Sequence, residues 1–196
     1  MNFFAPIIGA ILSAGASIAD KILLGGKGIT YKNYSTISFL AALFVAGIAF
    51  VIVGPPLTAE LFRGYAGLLL IFTTIAVLAS NLLYYQALKH DFLTEMEVVN
   101  LLTYIPVILF SFVLFADERN TAVLFSALVA SAAVVWSHWE RGHTFVRKGT
   151  RPYLLWILIV GPLEAAAFKE ILVVWDPIAL QFIRELIIVP ILGFMY

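Results

Sequence analysis

GYAGLLLIFTTIAVLASNLLYYQAL, residues 64–88, runs for 25 residues without an Asp, Glu, Lys or Arg. A hydrocarbon layer about 30 Å thick needs about 20 largely apolar residues in a helix, so this stretch predicts a membrane-spanning α-helix. Counting between charges in both directions gives four more such stretches: Phe3–Ala19, Asn33–Ala59, Val98–Ala116 and Asn120–Ser137. Beyond a polar linker, His138–Pro152, come two further hydrophobic stretches, Tyr153–Val173 and Ile178–Tyr196. The first carries Glu164, Lys169 and Glu170, and the second carries Arg184 and Glu185. A central Asp, Lys or Arg costs about 2.5–3.5 kcal/mol, whereas each Leu, Ile, Phe or Val returns only about 0.3–0.6. These last two helices are therefore expected to hold their charges near an interface, against other helices or in a wet cavity.

Composition agrees. Of 196 residues, 62% are apolar or aromatic and 12% are charged, against about 25% charged in ordinary soluble domains, which excludes a soluble globular chain. The same hydrophobicity excludes a disordered chain, and 12 basic against 12 acidic residues leave no surplus for binding nucleic acid. Without cysteine there is no disulfide framework, thiolate metal site or thiol nucleophile. The fold class expected is all-α: a polytopic helical membrane protein with about seven transmembrane helices in a lipid bilayer. Met1-Asn2-Phe3 lacks a basic secretory n-region, so the first stretch reads as a retained helix. Trp136, Trp139, Trp156 and Trp175 all fall near span ends, where an amphipathic ring prefers the headgroup region. Lys27, Lys32, Lys89, Arg141, Arg147, Lys148 and Arg151 lie on one side of the layer and Arg63 and Arg119 on the other. The excess of positive charge puts the 138–152 loop in the cytoplasm and the N-terminus outside.

Several polar residues interrupt the apolar spans. Glu97, Asn100, Tyr104 and Ser111 share one face of the fourth helix, and a stripe of that kind faces protein or water. Glu97 reads equally as the second half of a capping box with Thr94. Asn100 and Tyr104, deeper in the span, either hydrogen-bond between helices or line a substrate path. Asn81, Tyr84 and Tyr85 sit together near the end of the third helix, as an interfacial aromatic belt or as the lining of a solute site. Helix one presents Gly9, Ser13 and Ser17 and then the charged pair Asp20-Lys21. That pair marks either an interface, with Lys21 snorkelling outward, or a functional lysine inside the bundle. Pro106 and Pro190 predict kinks in helices four and seven. No G-x-S-x-G elbow or H-E-x-x-H pair occurs, and His90, His138 and His143 have no metal-site spacing. Neither an enzyme nor a cofactor is expected.

SIADKILL (17–24) and AAFKEILV (166–173) align Lys21 with Lys169 at an offset of 148 residues. A repeat of that period holds five helices, and an odd count inverts the second unit, the arrangement common in secondary transporters. The chain also resembles the EamA family of the drug/metabolite transporter superfamily. The resemblance is densest in NLLYYQALKHDFLTEMEVVNLLTYIPVILFSFVLFADERNT, residues 81–121. Its features are Tyr84, Tyr85, Ala87 and Leu88 closing helix three, Thr103, Tyr104 and Pro106 in helix four, Glu118 before helix five, and Asp20-Lys21. The family's usual helix-five glycines are replaced by small residues near Ser126, Ala127, Ala132 and Ala133.

The resemblance implies a multi-pass carrier or exporter of the cytoplasmic (inner) cell membrane that moves a small polar metabolite, such as an amino acid, by alternating access, with H+ as coupling ion. It also implies a substrate pathway lined by Asn81, Tyr84, Tyr85, Glu97, Asn100 and Tyr104, with Asp20, Lys21, Glu164, Lys169 and Arg184 as intramembrane charge partners. Residues 1–137 would form the first five-helix repeat, 138–152 a basic cytoplasmic linker, and 153–196 the start of a second repeat. Family members start inside and have ten helices. Carrying the 148-residue offset from Ser137 puts the end of a complete second unit near residue 285, so the chain is expected to be either a truncated ten-helix carrier or one whose bundle a homo-oligomer or a partner subunit completes. Two readings of other classes stand beside this one: a membrane-embedded enzyme of lipid or isoprenoid metabolism using the charges of helices six and seven, and a non-transporting membrane subunit or remnant.

Overall fold

The computed structural model describes residues 4–139 and 149–195, and every regular element among them is helical. The helices are α1 (Phe4–Leu24), α2 (Tyr31–Val53), α3 (Gly64–His90), α4 (Leu93–Leu114), α5 (Thr121–Trp139), α6 (Arg151–Ile171) and α7 (Pro177–Met195). Short 3-10 turns at Ala59–Phe62 and Ala116–Glu118 lead into α3 and α5. Four helices, α1, α2, α3 and α7, are long and apolar enough to cross a membrane, and the apolar parts of α4 and α5 are shorter. The chain is therefore read as a helical membrane protein. Outward-facing Val51 and Ile52 on α2 are 81% and 77% exposed, which suits hydrocarbon rather than water.

Helix ends follow local chemistry. The second charge-free stretch was expected to stay helical to Ala59, yet α2 stops at Val53 because Gly54 takes a left-handed conformation (φ 62°) and Pro55 and Pro56 follow. Thr30 Oγ1 caps α2 by accepting from the Asn33 amide at 3.2 Å. Asn120 Oδ1 does the same for α5, and Asp176 Oδ1 for α7, each accepting two backbone N–H groups. Carboxyl ends are closed by basic side chains: Arg119 donates to the Phe112 and Val113 carbonyls of α4, both at 3.2 Å. Pro106, Pro162 and Pro190 all lie within helices that continue past them.

Helix α3 is the hub, packing against α1, α2, α4, α6 and α7. Helix α6 fits between α3 and α4, α7 lies against α2 and α3, and α5 packs on α4. The core forms three layers. Leu24, Leu88, Met96, Val99 and Ile157 fill the end where α3 turns into α4. Phe39, Ile188 and Leu192 fill a middle layer, and Leu61, Leu70, Ile171, Trp175 and Leu180 fill the end where α6 turns into α7. Trp175, expected at a headgroup boundary, is buried within this last layer, its ring edge-on to Phe62 at 5.2 Å. Trp136 is exposed, and the side chain of Trp139 lies outside the described residues.

A polar knot ties the first layer. Lys21 donates to the carbonyls of Leu88 at 2.5 Å and Asp91 at 2.6 Å, and so caps α3. Asp91, itself buried, accepts from Thr150 Oγ1 just ahead of α6. Lys89 donates to the Ile29 carbonyl in the α1–α2 turn. One cluster thus fastens the start of α6 to the unit formed by the helices before it.

Candidate functional site

The α3–α6 seam carries most of the buried polarity. On α3, Ser80 and Tyr84 stand one turn apart on a single face; on α6, Tyr153 and Trp156 do the same. The Trp156 indole N–H donates to Ser80 Oγ at 2.9 Å, and Ser80 Oγ donates to Glu164 Oε2 at 3.2 Å. One turn towards the α3–α4 end, the Tyr84 and Tyr153 rings meet with centroids 5.6 Å apart. The Tyr153 hydroxyl donates to Asn100 Oδ1 on α4 at 2.8 Å.

Tyr85 extends this row towards α2. Its hydroxyl lies 3.0 Å from Ser38 Oγ, and its ring is edge-on to Tyr34 with centroids 5.1 Å apart. Tyr34 in turn donates to Asp20 Oδ1 at 2.5 Å. On α7, Arg184 Nη2 donates to Gln181 Oε1 at 2.5 Å, and Gln181 Nε2 donates to Glu185 Oε1 at 2.6 Å. The Arg184 guanidinium carbon sits 4.6 Å above the Phe168 ring of α6.

Of the residues singled out in the sequence, Tyr84, Tyr85, Asn100, Glu164 and Arg184 belong to this interior, with Asp20 joined to it through Tyr34. Asn81 turns its amide back on its own helix, donating to the Val77 carbonyl at 2.9 Å. Tyr104 is 59% exposed and faces a groove between α4 and α5, on the side of α4 away from α6, which packs instead against Asn100 and Thr103. The side chains of Glu97, Thr94 and Glu118 lie outside the described residues, as do His143 and most of the basic linker.

Lys21 is neither directed away from the bundle nor part of the central row; it caps α3. Lys169 sits at the opposite end, 2.8 Å from Asp117 Oδ2 and 4.0 Å over the Phe115 ring. That ammonium, assisted by a backbone hydrogen bond, holds the exposed Asp117 carboxyl below the usual carboxylate range. Sequence reasoning passed over Tyr34, Ser38, Ser80, Tyr153 and Gln181, and it read Trp156 as a headgroup-boundary residue, whereas its indole N–H is bonded to Ser80 in the α3–α6 seam. Single serines and aromatics in apolar helices carry no signal until a neighbouring helix supplies their partner.

Among the described residues no group of three His, Cys, Asp or Glu side chains could hold a metal. A groove of about 570 Å³, lined by Tyr65, Phe72, Phe115, Leu163 and Glu170, opens between α3, α4 and α6 at the α6–α7 end. The chain matches no protein-family model, no curated protein and no solved structure. The class that the fold itself defines is a helical membrane protein with a polar interior.

Proposed function

We propose that the chain is an EamA-type carrier of the cytoplasmic membrane, with all seven helices in the membrane-embedded bundle, moving small polar metabolites such as amino acids by alternating access. The observation that supports this reading is the row of hydrogen-bonded side chains inside the bundle, from Asn100 and Tyr153 through Trp156 and Ser80 to Glu164. Hydrogen bonds from serine and asparagine also join helices in purely structural bundles, but an ionisable group at hydrocarbon depth, here Glu164, is costly and marks a solute or ion path. The groove at the α6–α7 end would serve as one mouth of that path. Tyrosine hydroxyls, an indole N–H, an amide and a carboxylate offer a solute both donors and acceptors.

The test is flux in vesicles. The full chain, reconstituted in liposomes, is given a mixture of radiolabelled amino acids with and without a pH gradient. The carrier reading expects uptake or release above that of empty vesicles, reduced at least about tenfold by Trp156→Phe together with Ser80→Ala, a loss of about 1.4 kcal/mol in the transport step. No flux above empty vesicles under either condition overturns it. Turnover of a lipid substrate by the purified chain would support the enzyme reading instead.

A further inference from the structure

Helix α7 carries two charges into the bundle, and neither is fully partnered. Arg184 is 5% exposed and Glu185 2%. They stand seven and eight residues from the start of α7, about 10–12 Å into the helix at 1.5 Å per residue. Gln181 lies between them, satisfying one guanidinium nitrogen and one carboxylate oxygen. Arg184 Nε and Nη1 and Glu185 Oε2 are left without a hydrogen-bond partner. Adjacent residues on a helix point about 100° apart, so these two cannot turn fully towards each other.

The groups around Glu185 can be counted helix by helix. Helix α7 itself supplies Arg184. Helix α6 supplies Glu164, which interacts electrostatically with Arg184, and α3 supplies Tyr85, which interacts with Glu185. Helix α2 carries no titratable residue between Ser35 and Val53. Two carboxylates therefore face one guanidinium, and the cluster has a net charge of −1 when all three are ionised. An unbalanced charge in a low-dielectric interior is far more costly than a neutral, partly unpaired carboxyl. An anion would deepen the imbalance, and one proton removes it.

We propose that Glu164, Arg184 and Glu185 form a proton-binding site that takes up and releases one proton, received at Glu185 Oε2. A carboxylate and a hydronium ion give a carboxylic acid and water on one side of the membrane, and the reverse step returns the proton on the other. Its role in driving transport rests on the carrier reading above; proton binding by the cluster does not. The two carboxyls titrate as a coupled pair. The Trp156–Ser80–Glu164 chain links their state to the α3–α6 seam, because a protonated Glu164 Oε2 no longer accepts from Ser80 as an ionised one does.

The experiment uses the full chain in liposomes without solute, treated with N,N′-dicyclohexylcarbodiimide, which modifies protonated carboxyls in apolar surroundings, across about pH 5 to 9. Peptide mass mapping is expected to find one label per chain, shared between Glu164 and Glu185, its rate falling about tenfold for each pH unit beyond the midpoint of the cluster. Glu185→Gln leaves one acid against one base, so it should abolish labelling at Glu164 too. Arg184→Gln leaves two acids without a base and should give two labels. If Glu185→Gln does not fold, the wild type and Arg184→Gln carry the test. No label at any pH, a rate independent of pH, or undiminished Glu164 labelling in Glu185→Gln overturns the proposal. Labelling without solute flux sinks the carrier reading and leaves the site standing; flux without labelling sinks the site alone.

Discussion

Replacing Lys21 by Met removes the ammonium that closes α3 while keeping the length of the apolar stem. Two hydrogen bonds go, to the Leu88 and Asp91 carbonyls at 2.5 and 2.6 Å, and the buried Asp91 carboxylate loses its nearby positive charge. On the scale of soluble proteins two charge-assisted bonds are worth about 3–6 kcal/mol, while pairs between membrane helices average about 0.6 and reach about 1.7 each. Lys21 is only half-buried and lies at a helix end that water can reach, so the lower scale governs and the expected loss is about 2 kcal/mol. For a chain of this size that is a fall in Tm of about 4–8 °C. Thermal unfolding of the detergent-solubilised chain, followed by tryptophan fluorescence, reads it directly. Asp91→Asn should recover part of the loss when combined with Lys21→Met, since the second change removes the charge that the first strands; a coupling of about 1 kcal/mol is expected. A fall below about 1 °C, or two substitutions that simply add, would refute the idea that Lys21 ties α1 to the α3–α4 turn.

Three further outcomes follow from contacts elsewhere. At Gly67 an added Cβ would lie 2.5 Å from the Phe62 carbonyl oxygen, so Gly67→Ala should cost about 1–3 kcal/mol by forcing apart the turn that leads into α3; an unchanged Tm contradicts this. Tyr153→Phe takes the donor from Asn100 Oδ1 and should cost about 0.6 kcal/mol in stability, measured in a double-mutant cycle with Asn100→Leu, while flux falls much further; equal small effects on both would place Tyr153 outside the solute path. Asp117 is held below the usual carboxylate range in the folded chain, so its pairing with Lys169 contributes above the ordinary Asp range and fades as pH falls through the lowered value. Any Tm advantage of wild type over Asp117→Asn should therefore be small near pH 7 and shrink below about pH 4; an advantage that grows on acidification reverses the expected sign.

The interior of the site was legible only in part. Tyr84, Tyr85, Asn100, Glu164 and Arg184 stand out in the sequence because each is polar or charged within an apolar run, and the structure brings them to the bundle interior. Tyr104 stood out for the same reason yet faces outward, because helical periodicity says which residues share a face and nothing about which neighbour covers that face, or how far along. Ser80 was illegible: it joins an indole 76 residues away to a carboxylate 84 residues away, and nothing local to it hints at either. Lys21 was read as snorkelling outward or as a functional lysine inside the bundle, whereas its partners are carbonyls of another helix, which no side-chain pattern can reveal.

What the sequence determined by itself is the helical, membrane-embedded character of the chain. A charge-free run such as residues 64–88 can satisfy its backbone in hydrocarbon only by closing hydrogen bonds within itself, so composition and length suffice. Local stop signals such as Gly54-Pro55-Pro56 are equally visible, once left-handed φ and missing N–H groups are weighed against hydropathy. Only the tertiary structure decided that α6 wedges between α3 and α4 and that α7 lies against α2 and α3. Those contacts depend on the relative rotation and register of helices far apart in the chain, set by how side chains such as Phe50 and Phe182 stack at 4.7 Å, and that rotation is what turns Arg184 and Glu185 into the bundle instead of into lipid.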